Sequence, residues 1–189
     1  FCLNIVATAQ QTPAPSQSES ILIQGATLHI GDGTIIENGS LGIEAGKIVE
    51  VGPSSDIKNN YTRKINAKDQ HVYPGFIAAN STVGMVEIDA IRPTNDLNEI
   101  GTFLPNIRIL IAYNAESKVV ESLRPNGILT AQIIPTRGRI AGSSTVVQLD
   151  AWNWEDAAVK PDEGMHIYWP RSYRRGNSAK GEDPLVYDQ

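Results

Sequence analysis

The chain has 189 residues, of which 41% are hydrophobic and 20% charged, with a formal net charge of -5. This is the profile of a folded globular chain rather than a disordered one, and its acidity argues against a nucleic-acid partner, which would call for a basic face. No apolar run approaches the roughly 18 residues needed to cross a bilayer, and a single cysteine, Cys2, excludes a disulfide framework.

The first residues stand apart. An apolar stretch, Phe1-Cys2-Leu3-Asn4-Ile5-Val6, runs into Ala7-Thr8-Ala9, a small-x-small pattern of the kind signal peptidase cuts. Residues 1–9 are therefore expected to be a signal-peptide remnant. Residues 10–20, with Pro13, Pro15 and a run of Ser and Gln, read as a polar linker. Cys2 would leave with the leader, which suits an oxidising compartment. Export, to a bacterial periplasm, is the expectation. The absent initiator Met and charged n-region suggest a sequence that starts inside a longer one.

From Ser20 the pattern is one of short strands. Residues 21–30 are rich in β-branched side chains and end at Gly31-Asp32-Gly33. Asn38-Gly39 is a strong hairpin dipeptide. Residues 40–44 and 47–51 alternate around Ala45-Gly46, and 64–67 is a further short strand. Residues 21–70 are expected to form a small antiparallel sheet.

Then the character changes. Residues 71–79 are almost wholly apolar, as in a strand buried on both faces of a parallel barrel. Residues 113–123 read as a helix with Val119, Val120 and Leu123 on one side, stopped by Pro125-Asn126-Gly127. Residues 128–134 are a second buried strand, so strand, helix and strand make one parallel β/α unit. A β-rich piece, 144–149, follows the loop 136–139. Asn153 can cap a short helix, with Asp156 in a capping-box position. Residues 171–189 are polar and without periodicity, and read as a surface loop; the chain is expected to be truncated there too.

Three segments together carry a resemblance: Ile23, Ala26, Thr27 and Leu28; Gly46-Lys47-Ile48-Val49-Glu50-Val51-Gly52; and Val72-Tyr73-Pro74-Gly75-Phe76-Ile77. They are similar to the front of the amidohydrolase superfamily. Arg124 to Thr130 resembles the family's G-V-T-T segment, the loop after it resembles the version in imidazolonepropionase-like members, and the likeness spans about residues 21 to 170. It implies an α/β protein with an all-β front: part of a composite β-sandwich over 21–70, then the first units of a (β/α)8 TIM barrel with a long loop over 71–189, incomplete.

The resemblance also implies chemistry. The family carries D-x-H-x-H at the end of the first barrel strand. Two histidines two apart on a strand point to one side and can share a metal at the barrel's mouth. The metal then lowers the pKa of a water that attacks an amide, lactam or ester carbonyl. Here the aligned residues are Ala78-Ala79-Asn80-Ser81-Thr82. An amide and a hydroxyl are poor ligands for zinc. No metal ligand and no catalytic residue is therefore assigned, and no cofactor is expected in these residues, whereas one zinc could be held through residues beyond 189.

Asn80, Ser81 and Thr82, which also match a glycosylation sequon, are candidate substrate-binding residues instead. Trp152 and Trp154 join them as an aromatic platform, with Trp169 and Tyr168 nearby. Glu87 and Asp89 could bring oxygen ligands. Arg137, Arg139, Arg171, Arg174 and Arg175 could hold an anionic group. His29, His71 and His166 each read as structural.

Three functions stay open: a hydrolase of non-peptide carbon–nitrogen bonds, a pseudoenzyme scaffold paired with itself or with an intact relative, and a periplasmic ligand-binding module.

Overall fold

The computed structural model describes residues 13–88, 91–169, 173–175 and 185–187, and the chain divides into two compact units that meet in sequence at Phe76 and Ile77. The expected leader, residues 1–9, lies outside the described residues.

The first unit is a five-stranded sheet of β1 (Ile21–His29), β2 (Ile35–Glu44), β3 (Lys47–Pro53), β4 (Arg63–Asn66) and β5 (His71–Val72). The order is β3-β2-β1-β4, with β5 also on β1. The β1–β2 and β2–β3 pairs are antiparallel, but β4 and β5 run parallel to β1. The sheet is thus mixed rather than wholly antiparallel. Loop 54–62 returns the chain to the start of β1, where Arg63 N donates to Ser20 O and Ala67 N to Gln24 O. The linker is tied down as well: the Gln17 side chain donates to Ile43 O and accepts from Gly46 N.

Asn38-Gly39 makes no hairpin. Both residues lie inside β2, where Asn38 takes φ 47 and, across the pair, Gly25 of β1 takes φ 79, and the register shifts on either side of the Ala26–Gly39 pair. The positive φ that favours this dipeptide in turns here makes a bulge. Ser54 locks it by donating both N–H and Oγ–H to Asn38 O. The true turn is Ala45-Gly46, at φ 48 and 73.

Register sorts the two faces. Val51, Leu41, Ile23 and Ile65 stand in one row across β3-β2-β1-β4. The adjacent row, on the opposite face, is Gly52, Ser40, Gln24 and Asn66. One face is therefore apolar and the other polar.

The second unit is built on a four-stranded sheet of β6 (Phe76–Ser81), β7 (Ile128–Ile133), β8 (Ile140–Gln148) and β9 (Ala158–Ile167), in that order. Between β6 and β7 lies α1 (Lys118–Leu123), shorter than the predicted 113–123 because the buried Ser117 caps it, accepting from Val119 N. Gly127, at φ 81, ends the following turn. Ile134 N donates to Ser81 O and Asn80 N to the Gln132 side chain, so the contacts advance along β6 and β7 in the same sense.

β7–β8 and β8–β9 are antiparallel, so the β/α alternation does not continue through these strands. The reading of 71–79 as doubly buried is also corrected: Phe76 and Ile77, on the edge strand β6, are 64% and 67% exposed. α2 (Trp154–Ala157) starts where expected, with Asn153 Oδ1 accepting from Asp156 N. Asp156 in turn accepts from Trp152 N rather than from the cap residue. Residues 173–175 and 185–187 pair as two antiparallel strands, β10 (Tyr173–Arg175) and β11 (Leu185–Tyr187), within what reads in sequence as a loop.

One face of this sheet closes a core. Ala131 and Ile133 of β7 and Val147 of β8 are fully buried there against Met85, Ile109, Leu110, Tyr113 and Val120. Met85 to Tyr113 come from the loop between β6 and α1, which folds through two 3-10 turns, Arg92–Thr94 and Ile109–Ala112.

Candidate functional site

Alternation along β7 sends Ala131 and Ile133 into the core and Gln132 to the opposite face. There Gln132 is the centre of a polar row that takes one residue from each strand. Its Oε1 accepts from Asn80 N of β6 at 3.1 Å, and its Nε2 donates to Glu163 Oε1 of β9. Ser144 of β8, fully buried, donates to the same Glu163 oxygen at 3.2 Å and lies 3.1 Å from Gly164 O. Asn80 reaches this arrangement in a left-handed conformation, φ 50, which an asparagine tolerates better than most residues.

Glu163 is held below its usual range. The Gln132 hydrogen bond is the largest cause, resisted by desolvation and helped by Ser144 and the charges of Lys160 and His166. The site is thus an ionised carboxylate bonded by Gln132 and Ser144, with Gln132 also bonded to the end of β6, where Asn80, Ser81 and Thr82 carry an amide and two hydroxyls. Such a surface can accept and donate hydrogen bonds to a polar ligand.

The neighbouring carboxylate faces the other way. Asp162, at φ 49, takes a bidentate pair from Arg108 (2.9 and 2.6 Å) and a 2.8 Å bond from Ser143 Oγ. The Arg108 bond, then Ser143, lowers its pKa. Ser143 also lies 3.3 Å from Ile107 O, so this second network ties the long loop to β8 and β9.

Of the predicted residues, Asn80 enters the polar row through its backbone. Ser81 Oγ accepts from Val83 N, and Thr82 O accepts from Met85 N, both holding the turn after β6. The two tryptophans do not form a platform together. Trp154 packs against the core, while Trp152 is 62% exposed. Tyr168 donates to Pro135 O, and Trp169 stands exposed. Glu87 accepts from the Asn114 side chain; Asp89 and Arg171 lie outside the described residues, and the side chains of Arg174 and Arg175 are not among those described.

Two of the histidines stand together in the first sheet. His29 Nε2 lies 3.0 Å from His71 Nδ1, and His29 stacks on Tyr73 at 4.1 Å. Parallel pairing of β5 with β1 brings them together across 42 residues.

Gln132, Ser144, Glu163, Arg108 and Asp162 escape a reading of the sequence. The one local signal is Thr130 and Gln132 alternating with Ala131 and Ile133.

Metal ligation at the end of β6 fails a chemical test. Asn80 and Thr82 offer an amide and a hydroxyl. Among the described residues no three His, Cys, Asp or Glu side chains converge.

Against known structures, the chain superposes on an amidohydrolase from Thermotoga maritima with a TM-score of 0.72 at 21% identity, over 80% of this chain and 39% of that one. Over that stretch the chain shares the fold of part of that amidohydrolase. It spans well under half the length of that amidohydrolase. Shorter matches include a candidate prolidase from Bifidobacterium longum, 30% identical over 35% of this chain and 17% of that one (TM-score 0.32), and a molinate hydrolase, 29% identical over 35% and 15% (TM-score 0.31). No family model and no curated protein matches the chain.

Proposed function

We propose that the chain is the front part of an exported amidohydrolase-superfamily protein that acts on non-peptide carbon–nitrogen bonds, amides or cyclic amides. In this reading its first barrel strand contributes hydrogen-bonding groups to the substrate instead of metal ligands. The observation that carries the proposal is an amidohydrolase fold in which β6 ends in Asn80-Ser81-Thr82 beside the Gln132–Glu163 pair. The uncovered apolar row Val51, Leu41, Ile23 and Ile65 supports a sandwich completed by a second layer. The exposed β6 supports a barrel with further strands. Any metal would be held by residues beyond 189, and any reaction would depend on them.

The second reading is a pseudoenzyme that pairs with itself or with an intact relative. It is favoured by the way the polar groups at the strand ends bond to each other. The full-length protein, assayed against cyclic and linear amides, separates the two. Turnover that falls about tenfold or more in Glu163→Gln supports the hydrolase. Absence of turnover alone, with restored turnover only on adding an amidohydrolase partner, supports the pseudoenzyme. Turnover unaffected by both Glu163→Gln and Asn80→Ala removes the site assignment.

A further inference from the structure

The polar face of the first sheet carries a cavity of about 490 Å³ that plays no part in the proposed reaction. Its floor follows from the strand register: Gln24, Ser40 and Asn66 stand side by side across β1, β2 and β4. Loop 54–62 forms a wall, anchored by Ser54 on Asn38 and by Tyr61, which lies over Gly42 and donates to Glu50.

The lining has an unusual charge. The whole chain is acidic, with 21 Asp and Glu against 16 Lys and Arg, yet Lys58, Lys64 and Lys68 line this cavity with no carboxylate among the lining residues. None of the three joins the ion pairs of the described residues, which engage Arg108, Lys118 and Arg124. Neutral hydrogen-bonding groups make up most of the rest. Asn66 Oδ1 accepts from Lys68 N, which leaves its amide N–H groups as donors, and the Ser40 and Ser54 hydroxyls lie 2.7 Å apart. The volume lies in the range of small-molecule sites. Apolar lining is confined to Leu22 and Ile57.

We infer that this cavity binds a small oxygen-rich polyanion of the size of a phosphorylated sugar, its charge met by Lys58, Lys64 and Lys68 and its oxygens by the side-chain amides of Asn66 and Gln24. Lysine ammoniums act as point charges on phosphate or carboxylate groups, and three of them around a donor-rich floor match two or more negative charges. A neutral or apolar ligand would leave the lysines unmet.

Calorimetric titration of the protein with inorganic pyrophosphate tests this, with citrate as a carboxylate arm and sodium sulfate at matched ionic strength as control. One-to-one binding at or below ~1 mM is expected, weakened about tenfold or more in Lys64→Gln/Lys68→Gln and unchanged in Lys47→Gln, which alters an exposed lysine of β3 outside the cavity. Thermal melts confirm that each variant folds. Tighter binding of citrate than pyrophosphate assigns carboxylates as the ligand class; the reverse assigns phosphates. Absence of saturable heat with both anions, or an equal loss in Lys47→Gln, overturns the inference.

Discussion

The two sheets are of similar size, but they are held in different ways. The β1–β5 sheet has a buried cluster of only Ala26, Leu28 and Ala67, and leaves Ile48, Val51 and Ile65 exposed. The β6–β9 sheet closes over a cluster of eleven buried residues, gathered mostly from the loops and short helix that connect its strands. Strand pairing alone accounts for most of the first. The second is held by long-range packing, and the same connections that supply its core leave its opposite face free to carry the polar row.

Deleting a core side chain in each unit separates the two modes of support. Ile133→Ala, at a fully buried position inside the larger cluster, is expected to cost about 3–4 kcal/mol. Leu28→Ala in the thin cluster should cost about 2 kcal/mol, because more of the site is open to relaxation. Denaturant midpoints of both variants check this. Equal costs would mean that the first sheet has cover beyond the contacts described.

Next in size is a pH effect confined to the second unit. Burial pushes Tyr113 from the usual 10.0 up to about 12, and its hydroxyl meets no protein partner. Folding favours the neutral phenol, so this contribution is complete below about pH 10 and is lost as pH rises towards about 12, on the order of 2 kcal/mol in all. Tyr113→Phe should lack that alkaline slope while keeping neutral-pH stability equal or slightly higher. Stability measured from pH 9 to 12 in both proteins decides it.

The smallest expected effect is local. Ser117→Ala removes the α1 cap at a buried position and should cost about 1 kcal/mol. A cost well above that, read from the shift in the urea midpoint, would show that the hydroxyl holds more than the helix start.

Legibility followed the range of the contacts. Strands β1, β3 and β4, the second half of β2, the Ala45-Gly46 turn, the Asn153 cap and the Gly127 stop are encoded within a few residues of themselves, and each was readable. The Asn38-Gly39 bulge was not, because its conformation suits a turn or a bulge and the partner that decides, Ser54, lies beyond β3. The polar row was hidden for the same reason on a larger scale. Gln132 and Glu163 are joined across β8, and only the bulged register of β8 and β9 brings Glu163 to Ser144. The parallel placement of β5, which brings His71 to His29, likewise depends on a long return loop. By contrast, the likeness to amidohydrolases rested on short motifs with fixed spacing, and these survived without any of the long-range information.

As proposed, the end of β6 binds by hydrogen bonding and holds no metal. Metal analysis after dialysis against zinc-buffered and then metal-free solution tests it most directly, on the 189-residue chain and on its Asn80→Ala and Thr82→Ala variants. No zinc in stoichiometric amount that depends on either residue is expected. About one zinc per chain, lost when Asn80 or Thr82 becomes alanine, would contradict it.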